Sequence, residues 1–136
     1  MNQGLILFAH GARDPRWSEP FERLLRRVRS LRPEMECRLA YLEIMKPDLG
    51  EAVGELVALG CAEIRIVPVF LGEGGHVRRD LPQLVEELRL KYPGMFIVQL
   101  PAAGEDPDVL EAIARYCVQG WSAAVSTDTI PPVDII

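Results

Sequence analysis

The stretch GLILFAHGARD, residues 4–14, decides how the chain begins to fold. The run GLILFA has the length and composition of a short buried strand. In a parallel sheet the carboxyl end of a strand presents side chains to solvent, and a glycine there lets a ligand approach the backbone. His10, one of only two histidines in the chain, stands at that end next to Gly11. The stretch therefore predicts a buried strand that ends at an accessible, reactive side chain.

Outward from this strand, apolar runs alternate with amphipathic segments. Further strands are predicted at 37–43, 64–71 and 95–100. Helices are predicted at 17–32, 48–60, 80–92 and 106–117, with capping patterns at Asp48, Asp80 and Asp106. The connections are too long for hairpins, so the order predicts a three-layer α/β/α fold around a four-stranded, mostly parallel sheet. Pro68 interrupts the third strand and indicates a bulge.

The chain has 136 residues, the size of one ordinary domain. We expect that domain to span residues 1–118, because residues 119–136 break the alternation and are typical of a surface arm or disordered tail. Trp121 in that tail is a candidate partner contact. Three widely spaced cysteines, Cys37, Cys61 and Cys117, lie in apolar surroundings and are predicted to be reduced core residues.

The composition argues against several classes of protein. A formal net charge of −5 disfavours a general nucleic-acid binder. The sequence starts without a signal-peptide pattern and lacks the roughly 18 consecutive apolar residues of a membrane span. We therefore expect a cytoplasmic protein with no nucleic-acid or membrane partner. The arginines within 17–32 fit a solvated helix face, whereas Arg13, Arg78 and Arg79 each lie within three residues of a histidine.

Three polar residues follow three different predicted strands. His10 ends the first, Glu43 ends the second, and His76 lies in the loop LGEGGHVRRD after the third. Because the carboxyl ends of parallel strands share one edge, these side chains are expected to converge. Two imidazoles and a carboxylate suit a divalent transition metal and leave positions open for other ligands. Each residue alone is typical of a solvated surface group, so the prediction depends on their coincidence.

Four motifs carry a resemblance to a known family. HGARD (10–14), AYLE with MKP (40–47), VPVFL (67–71) and GGHVRRDLP (74–82) resemble, in the same order, the short CbiX/SirB family of sirohydrochlorin chelatases. The resemblance extends to about residue 118 and implies a chelatase-like (flavodoxin-like) fold. It implies insertion of Co²⁺ or Fe²⁺, with Ni²⁺ in some members, into sirohydrochlorin on routes to cobalamin or siroheme. His10, Glu43 and His76 would then bind the metal, which is a substrate, and no organic cofactor is expected.

The chemistry of metal insertion is consistent with this implication. The macrocycle must lose two pyrrole N–H protons, and neutral imidazole accepts protons near pH 7, so His10 and His76 are candidate catalytic bases. Arg13, Arg78 and Arg79 are candidates to bind the carboxylates of sirohydrochlorin. Four loop glycines would let a flat ring approach the backbone: Gly11, Gly72, Gly74 and Gly75. Larger family members look like two such units fused, so the resemblance also implies a homodimer.

Two other functions remain open at this point. A histidine phosphatase would place an arginine directly before its histidine, where this sequence has Ala9. A non-catalytic metal or tetrapyrrole carrier would use the same ligands as a chelatase. An α/β-hydrolase is excluded because no G-x-S-x-G motif is present. The residues do not decide which metal is physiological, or which of the two pathways is served.

Overall fold

The computed structural model describes residues 2–121, apart from the side chain of His76. The strands are β1 (Asn2–Ala9), β2 (Glu36–Tyr41), β3 (Cys61–Pro68) and β4 (Phe96–Gln99). The α-helices are α1 (Glu19–Leu31), α2 (Leu49–Ala58), α3 (Gly75–Lys91) and α4 (Pro107–Val118), with short 3₁₀ helices at Pro15–Ser18 and Ala103–Glu105. The alternation predicted from the sequence is confirmed.

All four strands are parallel, in the order β2-β1-β3-β4. The chain moves from β1 to β2 and then crosses back over β1 to β3, so the strand order reverses beside β1. Ala9 pairs with Tyr41 and Phe8 pairs with Pro68, which brings the carboxyl ends of three strands to one edge. Ligands of open α/β sheets bind at this kind of edge, outside the point of reversal.

Helices cover both faces of the sheet. Ile6 and Phe8 are fully buried on one face, in a cluster with apolar side chains of α2 and α3 such as Leu56 and Leu81. Successive residues of a strand point to opposite faces, so Cys37 and Tyr41 face the other side. There α1 packs, with the Arg29 guanidinium donating to the carbonyl oxygen of Cys37 at 2.9 Å. The predicted α/β class with a parallel sheet is confirmed.

The start of α2 is set by a capping box. The Asp48 carboxylate accepts from the backbone N–H of Glu51 at 2.8 Å, and the Glu51 carboxylate accepts from the N–H of Asp48 at 3.2 Å. The first of these bonds lowers the pKa of Asp48, because it stabilises the charged carboxylate. The predicted cap is confirmed, and it anchors the end of the segment 42–47 that follows β2.

Two predictions of local structure are wrong. Pro68 does not mark a bulge: it is the last residue of β3, and the ladder irregularity lies between Asn2 and Gln3. His76 is not in a loop, because α3 begins at Gly75 rather than near Asp80. The first turn of α3 buries Val77 against the core, and this packing outweighs the poor helix propensity of the preceding glycines.

The cysteines divide into two classes. Cys37 and Cys61 are buried, as predicted, and burial raises the pKa of both thiols. Cys117 is exposed, so its assignment to the core is wrong. It lies on α4, in which no residue is buried.

We expect one thiol to react quickly with an aromatic disulfide reagent at neutral pH and two to react slowly. The buried thiols carry less thiolate, because their pKa is raised, and they become accessible only when the structure opens. Cys117→Ser should remove the fast phase and leave the slow one. Two or more fast equivalents in the unmodified protein would contradict the burial of Cys37 and Cys61.

The chain forms two compact units, Met1–Glu105 and Asp106–Ile136. The first contains the sheet and α1–α3. In the second, α4 starts at Pro107 with the Asp106 carboxylate accepting from the N–H of Asp108 at 2.7 Å. The prediction of an arm or tail at 119–136 concerns residues that, beyond Trp121, lie outside the described part of the chain. No helix between residues 2 and 121 is long and apolar enough to cross a membrane.

Candidate metal and substrate site

His10 and Glu43 form a polar pair at the carboxyl edge of the sheet. His10 directly follows β1, and Glu43 stands two residues beyond the end of β2. Their side chains are 51% and 57% exposed, and His10 Nε2 lies 3.2 Å from Glu43 Oε1. The predicted convergence of these two residues is present, and both remain accessible to a ligand from solution.

The backbone holds the pair in register. Beyond the ends of the strands, the N–H of Leu42 donates to the carbonyl oxygen of Ala9 at 2.9 Å. The N–H of Glu43 then donates to the carbonyl oxygen of His10 at 3.1 Å. These bonds continue the pairing of β1 with β2 by two residues, so the placement of the two side chains does not depend on a flexible loop.

Gly11 is required by this close approach. Its φ of +97° lies in the left-handed region, which residues with a Cβ adopt at a cost. A methyl group built on Gly11 would also overlap the carbonyl oxygen of Glu43, which is backbone and cannot swing away. Gly11 was predicted to admit a ligand; in the structure it admits the neighbouring chain segment that carries Glu43.

The segment after β2 is a tight turn that the sequence did not signal. The N–H of Met45 donates to the carbonyl oxygen of Glu43 at 2.7 Å, and the intervening Ile44 has φ of +69°. A bond from residue i to i+2 around a positive φ defines an uncommon, strained γ-turn. The N–H of Tyr41 closes the segment by donating to the carbonyl oxygen of Pro47 at 2.9 Å. Glu43 is thereby fixed from both sides.

Phe70 also lies beside the His10–Glu43 pair, and the sequence analysis did not identify it. Its ring centroid lies 6.3 Å from that of His10 and 6.1 Å from that of Phe8, edge-on to both. Its carbonyl oxygen accepts from the N–H of Gly104 at 2.8 Å, which ties the loop after β3 to the loop after β4. Phe70 thus restricts the His10 imidazole on one side. Its place in the motif VPVFL was the available signal.

His76, the third predicted ligand, is the second residue of α3. Its helix follows β3 and therefore starts near the carboxyl edge, but its side chain lies outside the described structure. Among the side chains that are described, no group of three or more His, Cys, Asp and Glu residues is arranged to hold a metal ion. The structure brings two of the three predicted ligands together, and the role of His76 stays a prediction.

The three arginines predicted to bind substrate are exposed, whereas Gly11 is buried. Arg13 follows Gly11, and Arg78 and Arg79 lie near the start of α3. Within residues 2–121, no ion pair to any of these three arginines is present. Arg78 borders a surface cavity of about 540 Å³ that is also lined by Gln99 and Glu105.

The predicted loop glycines leave open surface. A methyl group on Gly72, Gly74 or Gly75 would meet no atom within 4 Å, so nothing nearby in the fold excludes a side chain there. Their small size keeps the rim between β3 and α3 low. This space is compatible with the predicted approach of a flat ring.

The spacing of the His10–Glu43 pair suits a shared metal ion. Ligand atoms about 2.1 Å from one ion, in tetrahedral or octahedral geometry, lie roughly 3.0–3.4 Å apart. The observed 3.2 Å between Nε2 and Oε1 falls in that interval. In the absence of a metal, a protonated imidazole would form an ion pair with the carboxylate across the same 3.2 Å.

The sequence model of the CbiX family matches residues 4–119, which include the whole sheet edge and both members of the pair. The chain belongs to the CbiX family. It is 32% identical over 121 residues to the sirohydrochlorin cobaltochelatase of Saccharolobus islandicus, covering 82% of this chain and 91% of that one. The enzyme of the same name from Saccharolobus solfataricus is 33% identical over 98 residues, 67% of this chain and 73% of that one.

Solved structures agree with this membership of the CbiX family. A CbiX protein from Marinobacter aquaeolei VT8 superposes with a TM-score of 0.78 at 30% identity, covering 88% of this chain and 98% of that one. SirB from Bacillus subtilis subspecies spizizenii, a sirohydrochlorin chelatase solved with cobalt, gives 0.75 at 21% identity. That match covers 86% of this chain but 50% of SirB, and at this identity it shows the fold alone.

Proposed function

We propose that this chain inserts a divalent metal ion into sirohydrochlorin, with Co²⁺ the first candidate and Fe²⁺ and Ni²⁺ the alternatives. The observation that carries the proposal is the His10–Glu43 pair, 3.2 Å apart and half exposed at the carboxyl edge of a CbiX-family sheet. Relatives that are 32–33% identical are named sirohydrochlorin cobaltochelatases, which favours cobalt and the cobalamin route over siroheme.

The pair would supply both a metal site and a base. The incoming ion would bind His10 Nε2 and Glu43 Oε1, with His76 as third ligand, and the carboxylate would reduce the charge that must be desolvated. When the ion moves onto a pyrrole nitrogen, the lone pair on Nε2 is released and can take up one of the two displaced N–H protons. The His76 imidazole is the predicted acceptor of the other. The Glu43 carboxylate, 3.2 Å away, then stabilises the His10 imidazolium.

The surroundings of the pair suit a flat, anionic substrate. Arg13, Arg78 and Arg79 supply exposed positive charge that is not neutralised within the described chain, and sirohydrochlorin carries many carboxylates. Gly74 and Gly75 leave open surface at the start of α3, which follows β3 at the same edge of the sheet. Organic cofactors are not needed for this chemistry, because the ion is a substrate and the proton acceptors are side chains.

Arg78→Ala should raise the KM for sirohydrochlorin about two- to fivefold and leave kcat unchanged. An exposed charge pair contributes about 0.4–1 kcal/mol, and a uniform binding contact appears in KM alone. The matched control is Arg27→Ala, which removes the same charge from an exposed position on α1, where the guanidinium donates to the Ser30 hydroxyl at 3.2 Å. Equal KM values for the two variants would remove Arg78 from carboxylate binding.

The test of the function is a visible-absorbance time course with sirohydrochlorin and, separately, Co²⁺, Fe²⁺ and Ni²⁺, against protein-free controls. Multiple turnovers per protein above the controls are expected, with the rates ranking the metals. A spectral change that stops at one equivalent would identify a carrier instead. Absence of any spectral change would refute the proposal. Hydrolysis of a phosphate ester would then be measured to test the histidine-phosphatase alternative. The structure disfavours that alternative, because buried Ala9 stands where a histidine phosphatase needs arginine.

We also propose that the chain acts as a homodimer in the cytoplasm. A single sheet edge is shallow for a macrocycle, and the matched region is about half of the SirB chain, which supports pairing of two such units. Sedimentation equilibrium should give twice the chain mass of 15.2 kDa. A monomer that turns over at the full rate would contradict the pairing. The cytoplasmic location stays a prediction from the sequence.

A further inference from the structure

Ile44 combines an unfavourable backbone with an exposed side chain. Its φ of +69° lies in the left-handed region, where a β-branched residue is a genuine outlier. The residue is 61% exposed, so burial among the described residues does not compensate for the strain. Glycine would adopt the same backbone without steric cost. Strain of this kind clusters at functional sites. An isoleucine kept at this position is therefore expected to contact a molecule outside the chain.

The position of Ile44 indicates what that partner is. It is the apex of the turn that carries Glu43, whose carboxylate lies 3.2 Å from His10 Nε2. An ion held by this pair must end at the centre of the macrocycle, so the ring has to come down over the pair. The residue next to Glu43 is then under the ring. Leu71, in the loop after β3 at the same edge, is also exposed, at 65%.

We infer that Ile44 is a substrate-contact residue, whose apolar side chain packs against the flat face of the tetrapyrrole beside the metal-binding pair. The inference rests on the proposed function. It assigns two kinds of contact with sirohydrochlorin to different residues. The arginines would bind the carboxylates at the periphery of the macrocycle, and Ile44 would bind its apolar face. Burial of an exposed isoleucine side chain is worth about a tenfold change in affinity, which is enough to maintain a strained residue.

The test compares the full-length protein with Ile44→Gly and Ile44→Asn. Glycine removes the side chain, and asparagine replaces it with a polar one that tolerates positive φ. The control is Leu90→Ala, because Leu90 is 75% exposed but lies 15 residues into α3, about 22 Å from the site edge. Three quantities are measured: the Kd of metal-free sirohydrochlorin, the Kd of Co²⁺ alone, and Tm.

Both Ile44 variants should bind sirohydrochlorin about tenfold more weakly. Their affinity for Co²⁺ should stay within about twofold of the wild type, because the His10–Glu43 pair is retained. The Tm should be equal or higher, since a strained residue has been relieved. Leu90→Ala should match the wild type in all three quantities. Higher stability together with weaker substrate binding is the combination that a structural role would not produce.

Several outcomes would overturn the inference. Unchanged sirohydrochlorin affinity in both variants would remove Ile44 from the contact, and a change only in self-association would assign it to a second copy of the chain. A parallel loss of Co²⁺ affinity, or a lower Tm in both variants, would make it a residue that shapes the turn. If the wild type binds no sirohydrochlorin, the proposed function itself fails, and the inference fails with it.

Discussion

His10→Ala is expected to lower the rate of metal insertion by about 10²–10⁴-fold while the protein stays folded, because we propose that this one group is both metal ligand and proton acceptor. The imidazole is 51% exposed, and its neighbours in the described chain are a 57% exposed carboxylate and the edge of the Phe70 ring, so its removal should change the free energy of unfolding by less than about 1 kcal/mol. The rate is measured with sirohydrochlorin and the preferred metal, and folding by circular dichroism and thermal unfolding.

Two further variants sharpen this result. Glu43→Gln keeps the size of the side chain but removes its charge, and it should weaken Co²⁺ binding. Arg16→Ala alters the 3₁₀ helix that follows β1, where Arg16 pairs with Asp14, and it should leave the insertion rate unchanged. Insertion by His10→Ala within tenfold of the wild type would show that the pair is not the reaction centre. Unfolding of His10→Ala would instead indicate a structural histidine.

Gly11→Ala should lower both the stability of the fold and the rate of metal insertion, although it adds only one methyl group. The left-handed φ of +97° is unfavourable for alanine, at a cost of about 1–2 kcal/mol. The overlap with the Glu43 carbonyl then forces the segment 42–47 away from β1. We expect a loss of more than about 2 kcal/mol in the free energy of unfolding. The insertion rate should fall at least tenfold, because Glu43 moves away from His10.

Gly60→Ala is the matched control for this variant. Gly60 has a φ of +85°, but a methyl group there meets only the side-chain nitrogen of Asn2, at 3.9 Å. It should cost about 1–2 kcal/mol in stability and nothing in activity. The difference in unfolding free energy between the two variants measures the cost of the overlap between the added methyl group and the Glu43 carbonyl oxygen. If Gly11→Ala retained full activity, the backbone register between His10 and Glu43 would not matter for function.

The sequence predicted the parts of the site that depend on strand ends. The apolar run before His10 made β1 recognisable, and the alternation of strands and helices placed Glu43 and His76 at the same edge. The capping pattern at Asp48 was also readable, because it depends on side chains three residues apart. The start of α3 was not predictable in this way. Glycines before His76 indicate a loop, whereas in the structure α3 starts at Gly75 and its first turn buries Val77.

By itself, then, the sequence determined the α/β class, the edge on which the site lies and the candidate ligands, because periodicity and strand ends are local properties of the chain. The tertiary structure alone decided that Glu43 Oε1 comes within 3.2 Å of His10 Nε2. It also decided that Gly11 makes room for the Glu43 backbone, and that Ile44 stands strained and exposed beside the pair. The first two features arise from contacts between residues more than 30 positions apart, and the position of Ile44 beside the pair depends on the same contacts. No local pattern encodes such distances, since they depend on how β1 and β2 pair and where the chain turns after them.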